Sequence, residues 1–99
     1  KVFWAMSVMV RARVIVKGIV QGVGYRYFTV KEAVCFGLNG YVKNLYDGNV
    51  ETVAEGKREE IDKFILRLKK GPSLSRVTTI EVTWENYKGE YKGFDINFL

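Results

Sequence analysis

The chain has no histidine, one cysteine and one proline among its 99 residues, and each scarcity removes a class of chemistry. Without histidine, the side chain most used for acid–base catalysis and metal ligation is missing. A lone thiol, Cys35, can form neither an internal disulfide nor a cysteine-based zinc site, and nothing in the sequence argues for an oxidising compartment. Cys35 reads as a small core or helix-face residue. No cofactor and no metal are expected. The longest apolar run, Val2 to Val10, is about half the length of a membrane span. It follows a single Lys1, has no clean small-residue cleavage site, and leads straight into Arg11 and Arg13, unlike a signal peptide. Residues 1–9 are therefore read as an N-terminal extension to a domain over 10–99. A cytoplasmic location and no membrane partner are expected. Self-association through the extension stays open.

What is present is positive charge and apolar patterning. Sixteen Lys and Arg against eleven Asp and Glu give a net charge of +5, which favours anionic partners such as nucleic acid or phosphorylated metabolites. A hydrophobic content of 47% at this length supports one core and leaves no room for a second domain. Ala12 to Lys17 alternates, with Val14 and Val16 on one face and Arg13, Ile15 and Lys17 on the other, as a strand does. From Arg26 or Tyr27 to Phe36, Tyr27, Val30, Ala33 and Val34 recur at helical spacing, and Gly37 stops the helix. Leu38 to Leu45 and Asn49 to Ala54 read as strands joined through Asp47-Gly48, where both residues tolerate positive φ. Ile61, Phe64, Ile65 and Leu68 mark a second helix, with acids in its first turns, bases in its last, and Gly71-Pro72 beyond it. Ile80, Val82 and Trp84 alternate in a fourth strand, and Phe94, Ile96 and Phe98 in a short last one. The order strand-helix-strand-strand-helix-strand plus a terminal strand predicts an α+β, ferredoxin-like split βαβ sandwich. Its mixed, largely antiparallel sheet carries both helices on one face.

The segment Gly18-Ile19-Val20-Gln21-Gly22-Val23-Gly24-Tyr25-Arg26 joins the first strand to the first helix. Pattern alone leaves two readings: a tight strand-to-helix turn, or an anion cradle of inward-pointing amides beside a helix N-terminus. It is not a Walker loop, because no Gly-Lys-Ser/Thr follows, and Tyr27 stands where a dinucleotide fingerprint needs its third glycine. A cation at the start of a helix opposes the helix dipole. Arg26 makes sense there if an anion sits between the two, since its guanidinium fork matches phosphate oxygens.

The run Gly18-x-Val20-Gln21-Gly22-Val23-x-Tyr25-Arg26 resembles the first signature of acylphosphatases. The second signature is similar to Gly40-Tyr41-Val42-Lys43-Asn44, followed by Gly48-x-Val50 and Gly56. The resemblance runs from about Val10 to Phe98 and implies the same ferredoxin-like core. For the site, it implies that Arg26 and the backbone amides of Gln21, Gly22, Val23, Gly24, Tyr25 and Arg26 bind a phosphate. It also implies that the Asn44 carboxamide holds an attacking water. Taken alone, Asn44 is an ordinary turn asparagine and Gln21 an amide satisfying loop backbone groups; Tyr25 reads as a packing residue. Tyr46 stands where many relatives have proline, and residues 1–9 lie outside the resemblance.

Chemistry without histidine, metal or a carboxylate pair suits one substrate class. An acyl phosphate expels a carboxylate whose conjugate acid has a pKa near ~4, by analogy with carboxylic side chains, so no general acid has to assist it. What is left is holding the phosphoryl oxygens and aligning a water. The expected function is hydrolysis of the carboxyl–phosphate bond by direct in-line attack of water, with Arg26 and Asn44 as catalytic residues. Small acyl phosphates are the expected partners, and inorganic phosphate or sulfate the expected competing anions. The alternative is an RNA-binding module on the same fold, resting on positive charge, Tyr41 and Tyr46 as stacking residues, and Lys92-Gly93-Phe94, which begins like an RNA-binding signature. That match breaks at Asp95, Ile96 and Asn97 and falls in the wrong strand, so no nucleic-acid partner is expected. Lys43, Arg11, Arg13 and Lys17 read as solvated strand charge.

Overall fold

The computed structural model describes residues 8–98. Its elements are β1 (Met9–Ile19), α1 (Tyr25–Cys35), β2 (Asn39–Asn44), β3 (Val50–Lys57), α2 (Arg58–Lys70), β4 (Arg76–Asn86) and β5 (Phe94–Ile96). The sheet order is β4-β1-β3-β2-β5, antiparallel throughout except for the parallel β2–β5 pair. Two helices pack on this five-stranded mixed sheet, which makes it a ferredoxin-like α+β fold. Among the described residues, no helix is long and apolar enough to cross a membrane. The read extension, residues 1–9, lies outside the described residues apart from Val8 and Met9. Met9 pairs with Lys57 in the sheet, and the Val8 carbonyl accepts the Arg58 amide at 2.9 Å.

The alternation of β1 places Ala12, Val14 and Val16 fully inside, where they meet Ile61, Phe64, Ile65 and Leu68 of α2. Each of the larger side chains removed from water contributes about 1.5–3 kcal/mol before chain entropy is counted. The helix face expected for α1 needs correction. Tyr27 and Val34 are exposed, and the buried residues are Tyr25, Thr29 and Ala33. The helix begins at Tyr25, so positions four apart from there turn inward. The polar member of that series is satisfied locally, because the Thr29 hydroxyl donates to the Tyr25 carbonyl at 2.9 Å. The Tyr25 hydroxyl donates to the Leu68 carbonyl at 2.7 Å and ties α1 to the end of α2, and burial pushes its pKa well above the usual phenol value. The β2–β3 hairpin also closes differently from the expectation. Of Asp47 and Gly48 only Gly48 takes a positive φ, 93°, and the turn is closed by Gly48 N–H to the Leu45 carbonyl at 3.2 Å. Asp47 instead uses its carboxylate to accept the Asn49 amide at 3.0 Å.

The sheet face away from the helices is solvated charge only in part. Arg11 is only 5% exposed; it pairs with Glu85 at 3.0 Å and Glu55 at 3.7 Å and contacts Glu90. Arg13 bridges Glu51 at 2.7 Å and Glu85 at 3.2 Å. Lys17 pairs with Glu81 at 3.0 Å and Lys43 approaches Glu51 at 3.9 Å, both on partly exposed side chains. Cross-strand register explains the correction: Arg11 lies opposite Glu55 on one side and Glu85 on the other. The aromatics named for stacking RNA bases do not form one platform among the described residues. Tyr41 donates its hydroxyl to Glu51 at 3.0 Å, Tyr46 stands in the hairpin turn, and Phe94 is buried against Phe64.

Glu55 is 1% exposed and accepts the amides of Lys88 at 2.9 Å, Gly89 at 3.1 Å and Glu90 at 2.9 Å, which clamps the segment leading to β5. Burial raises the Glu55 pKa, but the amides of Lys88, Glu90 and Gly89 outweigh it and hold the carboxyl below its ordinary value. A carboxylate with a depressed pKa adds stability above its unfolded-state value, about 4.3, and that contribution is lost as pH falls through the folded value. Thermal unfolding followed downward from neutral pH should therefore show stability falling below the ordinary carboxylate range, with a shallower fall in Glu55→Gln. Glu55→Ala, which leaves the amides of Lys88, Gly89 and Glu90 without their acceptor while Arg11 keeps Glu85 and Glu90, should cost about 3 kcal/mol or more in urea unfolding; a loss under ~1 kcal/mol, typical of an exposed pair, would contradict this account.

Candidate active site

β1 ends in a bulge at Gly18, which belongs to the strand and not to the loop. A Cβ there would lie 2.0 Å from the Arg76 carbonyl oxygen, so only glycine lets β4 approach. Val20, 1% exposed, then anchors the loop in the core. Gly22 and Gly24 have φ of 75° and 78°, the left-handed region, yet a Cβ at either would meet nothing within 4 Å. Backbone conformation, not crowding, requires glycine at both positions. Left-handed Gly24 sits at the N-cap of α1, where no side chain caps the helix and no acid occupies the first turn. The helical ladder starts with Phe28 N–H to the Gly24 carbonyl at 3.0 Å. The first-turn amides ahead of it therefore have no intrahelical acceptor, and the helix dipole adds partial positive charge there.

Arg26 lies on that first turn, half-buried, with its guanidinium carbon 5.1 Å from the centre of the Phe98 ring. Asn44 is the last residue of β2, opposite Val50 of β3. Its Oδ1 is buried and, among the described residues, has no hydrogen-bond partner. An orphaned acceptor of this kind costs about 1–3 kcal/mol unless something donates to it. Arg26 and Asn44 share a cavity of about 170 Å³ with Val20, Gly22, Gly24, Tyr25, Tyr27, Ile96 and Phe98. That is below the ~300–1,000 Å³ typical of sites for drug-sized ligands and suits a small anion. A larger cavity, about 410 Å³, lies by the far end of α1 beside Cys35 and Lys57 and contains none of the candidate residues.

The structure thus brings together Arg26, Asn44, Gly22, Gly24 and Tyr25. Gln21 and Val23 lie outside the cavity lining: Val23 packs against the core, and the Gln21 side chain donates from Nε2 to the carbonyls of Leu45 at 2.8 Å and Asn49 at 2.7 Å. Sequence reasoning missed Ile96 and Phe98 as cavity walls. Their alternation was visible, but not the parallel register that sets Ile96 beside Val42, with Asn97 N–H on the Val42 carbonyl at 2.8 Å.

The family model described as Acylphosphatase matches residues 12–96. The chain belongs to the acylphosphatase family. It is 51% identical over 88 residues to a Thermus thermophilus acylphosphatase, covering 89% of this chain and 99% of that relative. The crystal structure of the Bacillus subtilis acylphosphatase superimposes with a TM-score of 0.87 at 42% identity, covering 90% of this chain and 99% of that one. A full-length HypF, solved in a phosphate- and nucleotide-bound form, matches at 33% identity with a TM-score of 0.80; 93% of this chain covers 12% of that much longer one.

For this acylphosphatase-family loop, the open space around Gly24 predicts that Gly24→Ala costs about 1–2 kcal/mol, the strain of a left-handed non-glycine residue alone. Urea unfolding checks it; a loss well beyond that range would mean a clash the geometry does not contain.

Proposed function

We propose that Arg26, the loop amides from Gln21 to Arg26, and Asn44 form the machinery with which this enzyme hydrolyses the carboxyl–phosphate bond of acyl phosphates. Membership of the acylphosphatase family supports the activity. The observation that supports the site is the shared cavity, where an uncapped helix start, a guanidinium and an orphaned carboxamide oxygen converge.

The phosphoryl group sits in the cradle with its equatorial oxygens on the amides and the Arg26 fork, where fixed donors need no reorganisation as charge shifts. Stacking of Arg26 against the Phe98 ring limits where the guanidinium can point. The Asn44 Oδ1 accepts a hydrogen from a water and turns its lone pair toward phosphorus, opposite the leaving oxygen. As the new P–O bond forms, the P–O bond to the acyl group breaks and its electron pair leaves on the carboxylate. Asn44 is far too weak a base to take the proton, which passes to a phosphoryl oxygen or to solvent. The products are a carboxylate and inorganic phosphate, reached without a phosphoenzyme or a metal.

Hydrolysis of a simple acyl phosphate in the presence of a chelator should proceed at the full rate; dependence on added metal would reject the mechanism. Arg26→Ala and Asn44→Ala should each lower kcat by about 10²–10³-fold, the usual cost of one preorganised donor or positioning group. Arg26→Lys should recover little, because a point charge cannot reproduce the fork. Unimpaired variants would reject the site. Inorganic phosphate and sulfate should inhibit competitively and shift the amide resonances of Gln21 to Arg26; silence in both measurements would reject the cradle.

A further inference from the structure

The two halves of the site stand on different parts of the sheet. Arg26 and the glycine loop follow β1, Asn44 ends β2, and β3 lies between those strands. No strand pairing sets the loop against Asn44, and the loop's two left-handed glycines contribute no side chains to fix it. The Gln21 side chain spans the gap. Gln21 Nε2 donates to the carbonyls of Leu45 at 2.8 Å and Asn49 at 2.7 Å. Leu45 follows Asn44 directly, and Asn49 precedes Val50, the cross-strand partner of Asn44. A single amide therefore grips both ends of the hairpin turn, one residue beyond Asn44 and one before its partner Val50. Both partners are carbonyl oxygens, so the nitrogen must face them, and it spends both its hydrogens there.

The hairpin does not need these bonds to close. Leu45 N–H reaches the Asn49 carbonyl at 2.8 Å and Gly48 N–H the Leu45 carbonyl at 3.2 Å, so each oxygen already has a backbone donor. The Gln21 bonds are surplus to the turn, and what they add is the position of the loop relative to it. We propose that Gln21 is a positioning residue that registers the phosphate cradle against Asn44 and so sets the in-line alignment of water and phosphorus. This rests on reading Arg26 and Asn44 as the two halves of the site. Binding of the phosphate needs only the cradle; attack by the water needs the cradle and Asn44 in register.

The test is a double-mutant cycle of Gln21→Met, similar in length but without a donor, with Asn44→Ala. Hydrolysis of a simple acyl phosphate is read as kcat and KM, and inorganic phosphate serves as the inhibitor. Gln21→Met should lower kcat by about 100-fold, the scale of an ångström-sized misplacement of a reacting group. Phosphate inhibition should be unchanged. In the Asn44→Ala background, Gln21→Met should have no further effect, because its action passes through Asn44. A near-normal kcat in Gln21→Met, a parallel loss of phosphate affinity, or losses that multiply across the cycle would each overturn the inference while leaving the site intact. An active Asn44→Ala single variant would instead overturn the site, and the inference with it. If Gln21→Met does not fold, Gln21→Glu keeps the shape and sets an acceptor against the two carbonyls, and the same outcomes decide.

Discussion

The carboxylate of Glu55 is the ion on which much of this molecule depends. It lies under the segment 88–90 with three backbone amides on its oxygens and Arg11 beside it. That segment leads directly to β5, a strand of three residues that could not hold its place by pairing alone. Once the clamp fixes where β5 starts, its Phe94 enters the core against Phe64, Ile96 reaches the cavity, and Phe98 arrives over Arg26. An ion pair on the face opposite the helices is thus coupled through one short loop to the wall of the site. Burying a charge in this way is costly unless its lone pairs are used, and both Glu55 oxygens accept backbone amides.

Segregation of charge follows from the same arrangement. Glu51, Glu55, Glu81, Glu85 and Glu90 are all held by arginines or lysines on the outer sheet face. Among the described residues, the cavity lining contains one cation, Arg26, and no acid. A net charge of +5 therefore says less about the site than where the acids are kept. With these five of the eleven acids held on the outer face, the uncapped start of α1 faces a space where an anion meets no carboxylate among the described lining residues. An anion bound there would offset the dipole cost of a cation on the first turn.

The parts of the fold that could be read from the sequence are those where one period decides. The faces of β1 and α2 are of this kind, because Val14, Val16, Ile61, Phe64, Ile65 and Leu68 are apolar and meet the same sheet interior. The inward face of α1 was not legible. It depends on a start at Tyr25 set by left-handed Gly24, and it includes Thr29, whose burial is tolerable only because its hydroxyl finds a carbonyl one turn back. Arg11 and Arg13 looked solvated because a charge on a strand is buried or exposed according to its neighbours across the sheet, and register is not written in local pattern. The candidate residues Arg26 and Asn44 were legible through their motifs. Ile96 and Phe98 were not, since a parallel partner for β2 comes from the far end of the chain.

The neutrality of Asn44 carries a last step. An aspartate there would be a stronger base, yet it would set a second negative charge against a phosphoryl group held, as proposed, by Arg26 and the loop amides. Since the leaving carboxylate departs without a proton, base strength adds little, and the repulsion would act on ground state and transition state alike. A carboxamide oxygen orients the water without that penalty. Its burial with no partner among the described residues leaves it free to accept a hydrogen from a water, which is the role proposed for it. On this proposal the chemistry depends on alignment more than on any one group, and strand pairing at Asn44, the clamp at Glu55 and the amide of Gln21 are the contacts that would set it.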